Sequence, residues 1–221
     1  MSPPRCRSLA PLMAVAFAGC TPYAVHTSAR PLQEGDRSRS MIVSVVPGGA
    51  RIDEDSTQES IALPSFDVDW RYGLDDRSDI GFRLNTASGG IVTWRRRLDG
   101  PSSRPTTATA LMLGAGLVNF GQHAHVEATL IRSGREGGSV VPYGGLRAIQ
   151  IAPLSSTAVH DRPTLGAFGG ARFGGAAARI GVEVGVFYDR SALGLRRNDF
   201  VVVPSFSVNS IRLGRKRADD R

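Results

Sequence analysis

Between residues 178 and 188 the chain alternates without a break. Ala178, Ile180, Val182, Val184, Val186 and Tyr188 fall on one side; Arg179, Gly181, Glu183, Gly185, Phe187 and Asp189 fall on the other. A period of two puts successive side chains on opposite faces of an extended chain, so this segment is a strand with one apolar face and not a helix. The pattern recurs. Phe66, Val68, Trp70 and Tyr72 oppose Ser65, Asp67, Asp69 and Arg71, and Ile80, Phe82 and Leu84 oppose Asp79, Gly81 and Arg83. Residues 108–117, 123–130 and 165–174 alternate less strictly, and further strands are predicted near 40–46, 90–98, 140–151 and 199–212, about ten in all. In 140–151 the faces are mixed, because Arg147 lies on the side of Tyr143 and Ile149.

Turn residues separate these strands at 73–77, 87–90, 119–122, 134–138 and Gly174-Gly175. Short connections between successive strands make neighbours antiparallel, hence a meander. A meander of this length leaves two unpaired edges unless it closes on itself. The expected fold is therefore all-β: a closed antiparallel meander barrel of about ten strands, with eight as the lower bound. A length of 221 residues suits one such domain. The two cysteines, Cys6 and Cys20, exclude a disulfide scaffold and a cysteine-based zinc site. No apolar run reaches the 18 residues that a spanning helix requires.

The formal charge of +7 lies mostly at the ends. Arg5 and Arg7 contribute +2, and the last ten residues a net +3, which leaves +2 for everything between. Nucleic-acid binding normally concentrates charge on a folded face, so it is not expected here. Arg5 and Arg7 precede an apolar run at 9–17 (LAPLMAVAF) and the small residues Ala18 and Gly19 before Cys20. This has the layout of a secretory signal. Phe17-Ala18-Gly19-Cys20 resembles the lipobox of bacterial lipoproteins, and that resemblance implies cleavage before Cys20, acylation of its thiol (palmitate or a similar chain) and a cell-envelope location. The expected organisation is a signal peptide over 1–19, an acylated N-terminus with a flexible tether over 20–39, a barrel over 40–212 and a basic tail over 213–221. The tether reading rests on polar composition, Pro22 and Pro31, and the lack of any period.

Periodicity does not say which face is inside. A soluble ligand-binding barrel turns its apolar face inward, whereas an outer-membrane barrel turns it toward lipid. Three features favour the membrane arrangement. Glycines gather on the polar face (Gly81, Gly114, Gly116, Gly166, Gly170, Gly174, Gly181 and Gly185), where a narrow lumen would crowd side chains. The polar face balances six acids (Asp67, Asp69, Asp79, Glu127, Glu183, Asp189) against six arginines (Arg71, Arg83, Arg95, Arg97, Arg172, Arg179). Trp70, Tyr72 and Tyr188 lie at strand ends on the apolar face, where an aromatic girdle belongs.

The hairpin at 71–84 (RYGLDDRSDIGFRL) resembles the RYGL-x-D-R-x-D-x-G-x-R hairpin of small bacterial outer-membrane β-barrel proteins, many of which begin with a lipoprotein signal. The strand containing Pro142-Tyr143-Gly144-Gly145-Leu146-Arg147 is similar to theirs as well. The resemblance implies architecture and an outer-membrane location, anchored through Cys20, and no reaction.

One constellation has the flavour of a site. His123, His125 and Glu127 point the same way on a strand, roughly 7 Å apart in steps of two, and two His with a carboxylate are a weak metal or acid–base candidate. The competing reading is a polar lumen in which Glu127 pairs with an arginine. His160-Asp161-Arg162 sits between turn residues, and Trp94-Arg95-Arg96-Arg97 suits either a headgroup contact or two luminal arginines with Arg96 snorkelling. No serine lies in a nucleophile-elbow context, no residue set calls for a cofactor, and no small-molecule ligand or oligomeric state is indicated. The expected function is non-enzymatic: a structural or interaction barrel with a narrow polar lumen, with segments 47–59, 152–162 and 190–198 as outward loops. Two alternatives are a lipid-anchored periplasmic barrel holding a small hydrophobic ligand, lipocalin-like, and an outer-membrane lipid-modifying enzyme using His125 and Glu127. Val182 and Glu183 separate the first two, since they exchange environments between them.

Overall fold

The computed structural model describes residues 22–54, 57–85, 89–100, 107–154, 162–175, 177–189 and 199–212. Ten strands follow in order: β1 (Arg37–Glu54), β2 (Thr57–Gly73), β3 (Ser78–Asn85), β4 (Gly89–Arg97), β5 (Ala108–Val118), β6 (His123–Ser133), β7 (Val140–Pro153), β8 (Thr164–Gly174), β9 (Ala178–Asp189) and β10 (Asp199–Arg212). Each pairs antiparallel with the next, and β1 pairs with β10 from Arg37↔Arg212 to Ser44↔Ser205, so the meander closes. The barrel has two rims. The terminal rim carries the start of β1, the end of β10 and the connections β2–β3, β4–β5, β6–β7 and β8–β9; the opposite, loop rim carries the rest.

The apolar face is outside. Ile180, Val182, Val184 and Val186 are exposed on β9, while Arg179, Gly181, Glu183 and Phe187 are buried. Val182 is 45% exposed and Glu183 3%. On the outer wall near the terminal rim, Trp70 stacks on Phe82, the Arg39 guanidinium lies 5.7 Å from the Trp70 ring and that of Arg37 5.6 Å from the Tyr72 ring. At the loop rim Tyr188 and Phe200 meet at 5.0 Å. Aromatic rings therefore mark both margins of the apolar band, as they do where an apolar wall meets water.

The luminal glycines face bulk across the strand pairs. Gly81 lies between Arg71 and Thr93, Gly114 between Thr93 and Glu127, Gly166 between Arg147 and Phe187, and Gly181 between Arg172 and Ser207. A Cβ on Gly114 would meet Glu127 at 2.7 Å, and one on Gly185 would meet the Phe187 ring at 2.3 Å. The close approach of large inward side chains is what excludes a side chain at these positions.

Two expectations need correction. Segment 47–59 is not a loop: β1 and β2 stay paired as far as Glu54↔Thr57, with a register shift between Val46 and Ala50 that absorbs Pro47-Gly48-Gly49. The partners of β1 on β10 end at Ser44, and those of β2 on β3 begin at Asp67, so the rest of this hairpin runs on past the ring at the loop rim. The second correction concerns residues 20–39. Strand β1 starts at Arg37, and residues 22–29 are all buried, inside the barrel rather than in solvent.

Candidate functional site

The lumen is filled by the chain's own N-terminal segment. At the loop rim Tyr23 packs on Phe187 (4.9 Å between ring centroids) and shares a buried apolar cluster with Val46, Val118, Ile149, Ile151, Val201 and Val203. At the terminal rim Val25 and Ala29 cluster with Ala108, Ala110, Met112, Ile131, Tyr143 and Phe168. Inward apolar side chains on β5, β7 and β10, which a purely polar lumen would lack, are the seats of this segment. Mixed patterning in β7 has the same cause, because Tyr143 and Ile149 touch the plug while Arg147 binds its backbone.

Between the clusters, luminal charges hold the plug by its peptide groups. The Glu183 carboxylate accepts the N–H groups of Val25 and His26, each at 2.8 Å. Arg83 donates to the Ala24 carbonyl at 2.8 Å, and Arg147 donates to the carbonyls of Tyr23 (3.1 Å) and Ala24 (3.0 Å). Further down, Arg95 donates to Thr27 Oγ1 and the Ser28 carbonyl, Ser133 Oγ accepts from Ala29 N–H at 3.1 Å, and Asp79 accepts from Leu32 N–H at 3.0 Å. A segment without helix or sheet must satisfy its buried peptide groups somewhere, and here the wall supplies the partners.

His26 is the pivot of this run. Its backbone is left-handed (φ 46°), a conformation held in place by the Glu183 bond at its own N–H. The ring fits between Ser205 Oγ, 2.8 Å from Nε2, and the Tyr143 hydroxyl, which itself donates to Glu183 at 2.9 Å.

The same charges also neutralise one another. Asp79 bridges Arg71 (3.0 Å) and Arg95, Asp69 lies 3.4 Å from Arg83 and 3.7 Å from Arg71, and Glu127 pairs with Arg147. Removing one member of a buried pair strands the other, so these side chains form a cooperative set. Toward the terminal rim the plug leaves a cavity of ≈ 450 Å³, bounded by Thr27, Arg30, Asp36, Glu136, Arg172 and Arg179. Glu136 from the β6–β7 turn reaches in to pair with Arg179, and lies 3.8 Å from Arg172.

The sequence candidates separate. His125 and Glu127 do point together into the lumen, with His125 Nε2 2.9 Å from Glu127 Oε2, but Arg147 also occupies that carboxylate. His123 lies at the loop rim beside Asn119, 3.4 Å from its side-chain nitrogen. Among the described residues no three His, Cys, Asp or Glu side chains are grouped to hold a metal ion. Arg95 is luminal, Arg96 exposed, and Arg97 donates to the Gly100 carbonyl at the rim. Cys20, the signal segment, His160, Asp161, loop 190–198 and the tail 213–221 lie outside the described residues. The sequence does not single out His26, Ser133 or Ser205, and it gives Tyr143 no role beyond the 142–147 resemblance, because their role depends on a segment that has no period.

No protein-family model matches the chain, and no curated protein matches it. Among solved structures it is similar to Ail, the attachment invasion locus protein of Yersinia pestis, described in complex with the heparin analogue sucrose octasulfate (15% identity, 81% of this chain and 100% of that one, TM-score 0.33). It is also similar to Neisserial surface protein A (12%, 80% and 96%, 0.35) and to the outer membrane protein OprG of Pseudomonas aeruginosa (11%, 84% and 99%, 0.33). At these scores the reading of function rests on the chain's own geometry.

Proposed function

We propose that the chain is a non-enzymatic β-barrel lipoprotein of the bacterial outer membrane, acylated at Cys20, with a structural or interaction role and a lumen closed by its own N-terminal segment. One observation carries this reading: the barrel is inside out relative to a soluble one, with valine, leucine and phenylalanine on the outer wall and ion pairs within. An outer wall of that kind is stable against lipid and costly against water. The first hairpin runs on past the ring at the loop rim, and we take that rim as the external side, where such barrels carry their larger extensions.

The lipocalin-like alternative needs an apolar cavity with Val182 inside, and the exposure of Val182 with Glu183 buried speaks against it. An enzyme using His125 and Glu127 would need substrate to reach two side chains that are buried, with Glu127 already held by Arg147. Neither a metal nor a cofactor has a role in this reading, and its partner is the membrane itself.

The test replaces the lipoprotein signal by an ordinary secretory signal, so that the mature chain begins after Cys20. The barrel should still sediment with the outer membrane and resist alkaline carbonate. Release into the periplasm would sink the spanning reading. Mass analysis of the N-terminal peptide of the unaltered protein should show an acylated Cys20.

A further inference from the structure

The plug has a direction, and the direction has a consequence. Its contacts descend in order: Tyr23 beside Phe187 and Val201 at the loop rim, Ala24 to His26 at mid-barrel against Arg83, Arg147 and Glu183, and Ala29 beside Ser133 near the terminal rim. Leu32 binds Asp79, and Gly35 donates to the Gly73 carbonyl at the terminal rim, where β1 begins. The chain therefore crosses the lumen from loop rim to terminal rim before the first strand. Cys20 is two residues ahead of Pro22, a reach of at most about 7 Å. Eight residue steps along β9 lead from Arg179 to Phe187, which places the loop rim on the order of 20 Å from the other mouth, allowing for strand tilt. The lumen between is occupied by the plug itself, so residue 20 has no route back to the terminal rim.

We infer that the polypeptide before Pro22 leaves the barrel through the loop mouth, on the side opposite the end of β10 at Arg212. This deepens the proposed function and rests on it for one point, the acylation of Cys20: given that lipid, its chains enter the leaflet on the loop side, which in the proposed orientation is the cell surface. The N-terminus and the C-terminus of the mature chain then lie on opposite faces of one membrane, although the barrel has an even number of strands. An even count brings the two ends of the ring to one side. The fifteen residues 22–36 undo that equivalence by crossing once more.

Lys216 is the single lysine of the chain and marks the C-terminal tail. Three versions of the full-length protein are compared in intact cells with an amine reagent that does not cross the outer membrane, and peptide mass mapping scores the modified lysine apart from any free α-amine. The first has Lys216 as its lysine; the others carry K216R with either N198K in the β9–β10 loop or a five-residue Gly-Ser-Lys-Ser-Gly insertion between Thr21 and Pro22. The insertion and N198K should label alike, and Lys216 should behave oppositely, whichever way the barrel faces. Labelling of the insertion together with Lys216 and apart from N198K would overturn the inference. A second measurement does not depend on labelling: A29C with S133C should form a disulfide on mild oxidation in the membrane, while A29C with S65C should not. Failure of the first pair in a folded barrel would also overturn it. An unacylated Cys20 with the expected labelling would refute the lipid anchor and leave the threading standing, so the two failures read differently.

Discussion

At the scale of single residues, the lumen works by pairing volume with its absence. Gly185 is the clearest case, since the nearest atoms a Cβ there would meet all belong to the Phe187 ring. Replacing Gly185 by Ala should destabilise the barrel by roughly 1–3 kcal/mol through overpacking. Shrinking the obstacle in G185A/F187L should recover much of that loss, measured as the urea midpoint of the protein in detergent or vesicles. No recovery in the double variant would mean that the two sites do not collide. Arg147 is a different kind of residue: it neutralises Glu127 and binds two carbonyls of the plug. R147M should cost about 3–5 kcal/mol, because Glu127 is left charged and buried while the Tyr23 carbonyl loses the Arg147 donor; the Ala24 carbonyl keeps Arg83. E127Q/R147M should be milder than R147M alone, and that order of stabilities is the check. The glycines and ion pairs were legible in the sequence, since crowding and charge balance both follow from alternation. Which acid meets which arginine was not, because register decides it and one residue of slip would reverse every face.

At the scale of elements, the ten strands were legible and the plug was not. Alternation reports burial only for chain in a regular conformation, and residues 22–36 have none. They are held through backbone N–H and C=O groups, which every sequence possesses, and through irregularly spaced side chains such as Tyr23, Val25 and His26, so no periodic pattern announces them. Proline and polar residues, which in solution mark a tether, serve equally well in a segment whose partners are supplied by a wall. The far half of the first hairpin is hidden for a related reason: Pro47-Gly48-Gly49 reads as a turn, and only the register shift beyond Val46 shows pairing resuming. Deleting residues 22–31 should leave the strands intact and expose the luminal charges to water. In planar bilayers the full-length protein should be closed, and the deletion should conduct ions; equal conductance in both would dissociate the plug from closure. The β2–β3 turn makes a smaller, pH-dependent contribution. Asp75 accepts hydrogen bonds from Ser78 Oγ (2.6 Å) and the Arg77 N–H (2.7 Å), which hold its carboxyl below the ordinary value. A depressed folded value stabilises above the unfolded pKa of about 3.9 and loses that stability as pH falls through the lowered value. D75N should therefore lower stability slightly at neutral pH and converge on the unaltered protein in acid, so that its acid limb is flatter, as read by unfolding midpoints across that range.

At the scale of the whole molecule, the outer wall is the argument for the membrane. Val184 is mid-strand on β9 and exposed. V184R should impair folding into vesicles by about 2–4 kcal/mol if that wall meets the hydrocarbon midplane, whereas water outside would make the change nearly neutral. Folding yield into vesicles of V184R against V184T gives the measurement, with Thr as the polar control of similar shape.

The ring closes between its first strand and its last. Strand β10 is the final piece of the barrel to leave the ribosome, and until it meets β1 the wall has a gap along its whole height. Residues 22–36 precede all of it. With the acylated end proposed above, the chain could not be drawn lengthwise through a finished ring, and on that reading the segment is in place while the gap is open. Closure then resembles the fastening of a clasp over a cord that is already lying in it. The cord also ties the wall together: its Glu183, Arg147, Arg83 and Ser133 contacts join β9, β7, β3 and β6 through one segment. The order of synthesis, first the cord and last the clasp, is written into the direction of the chain.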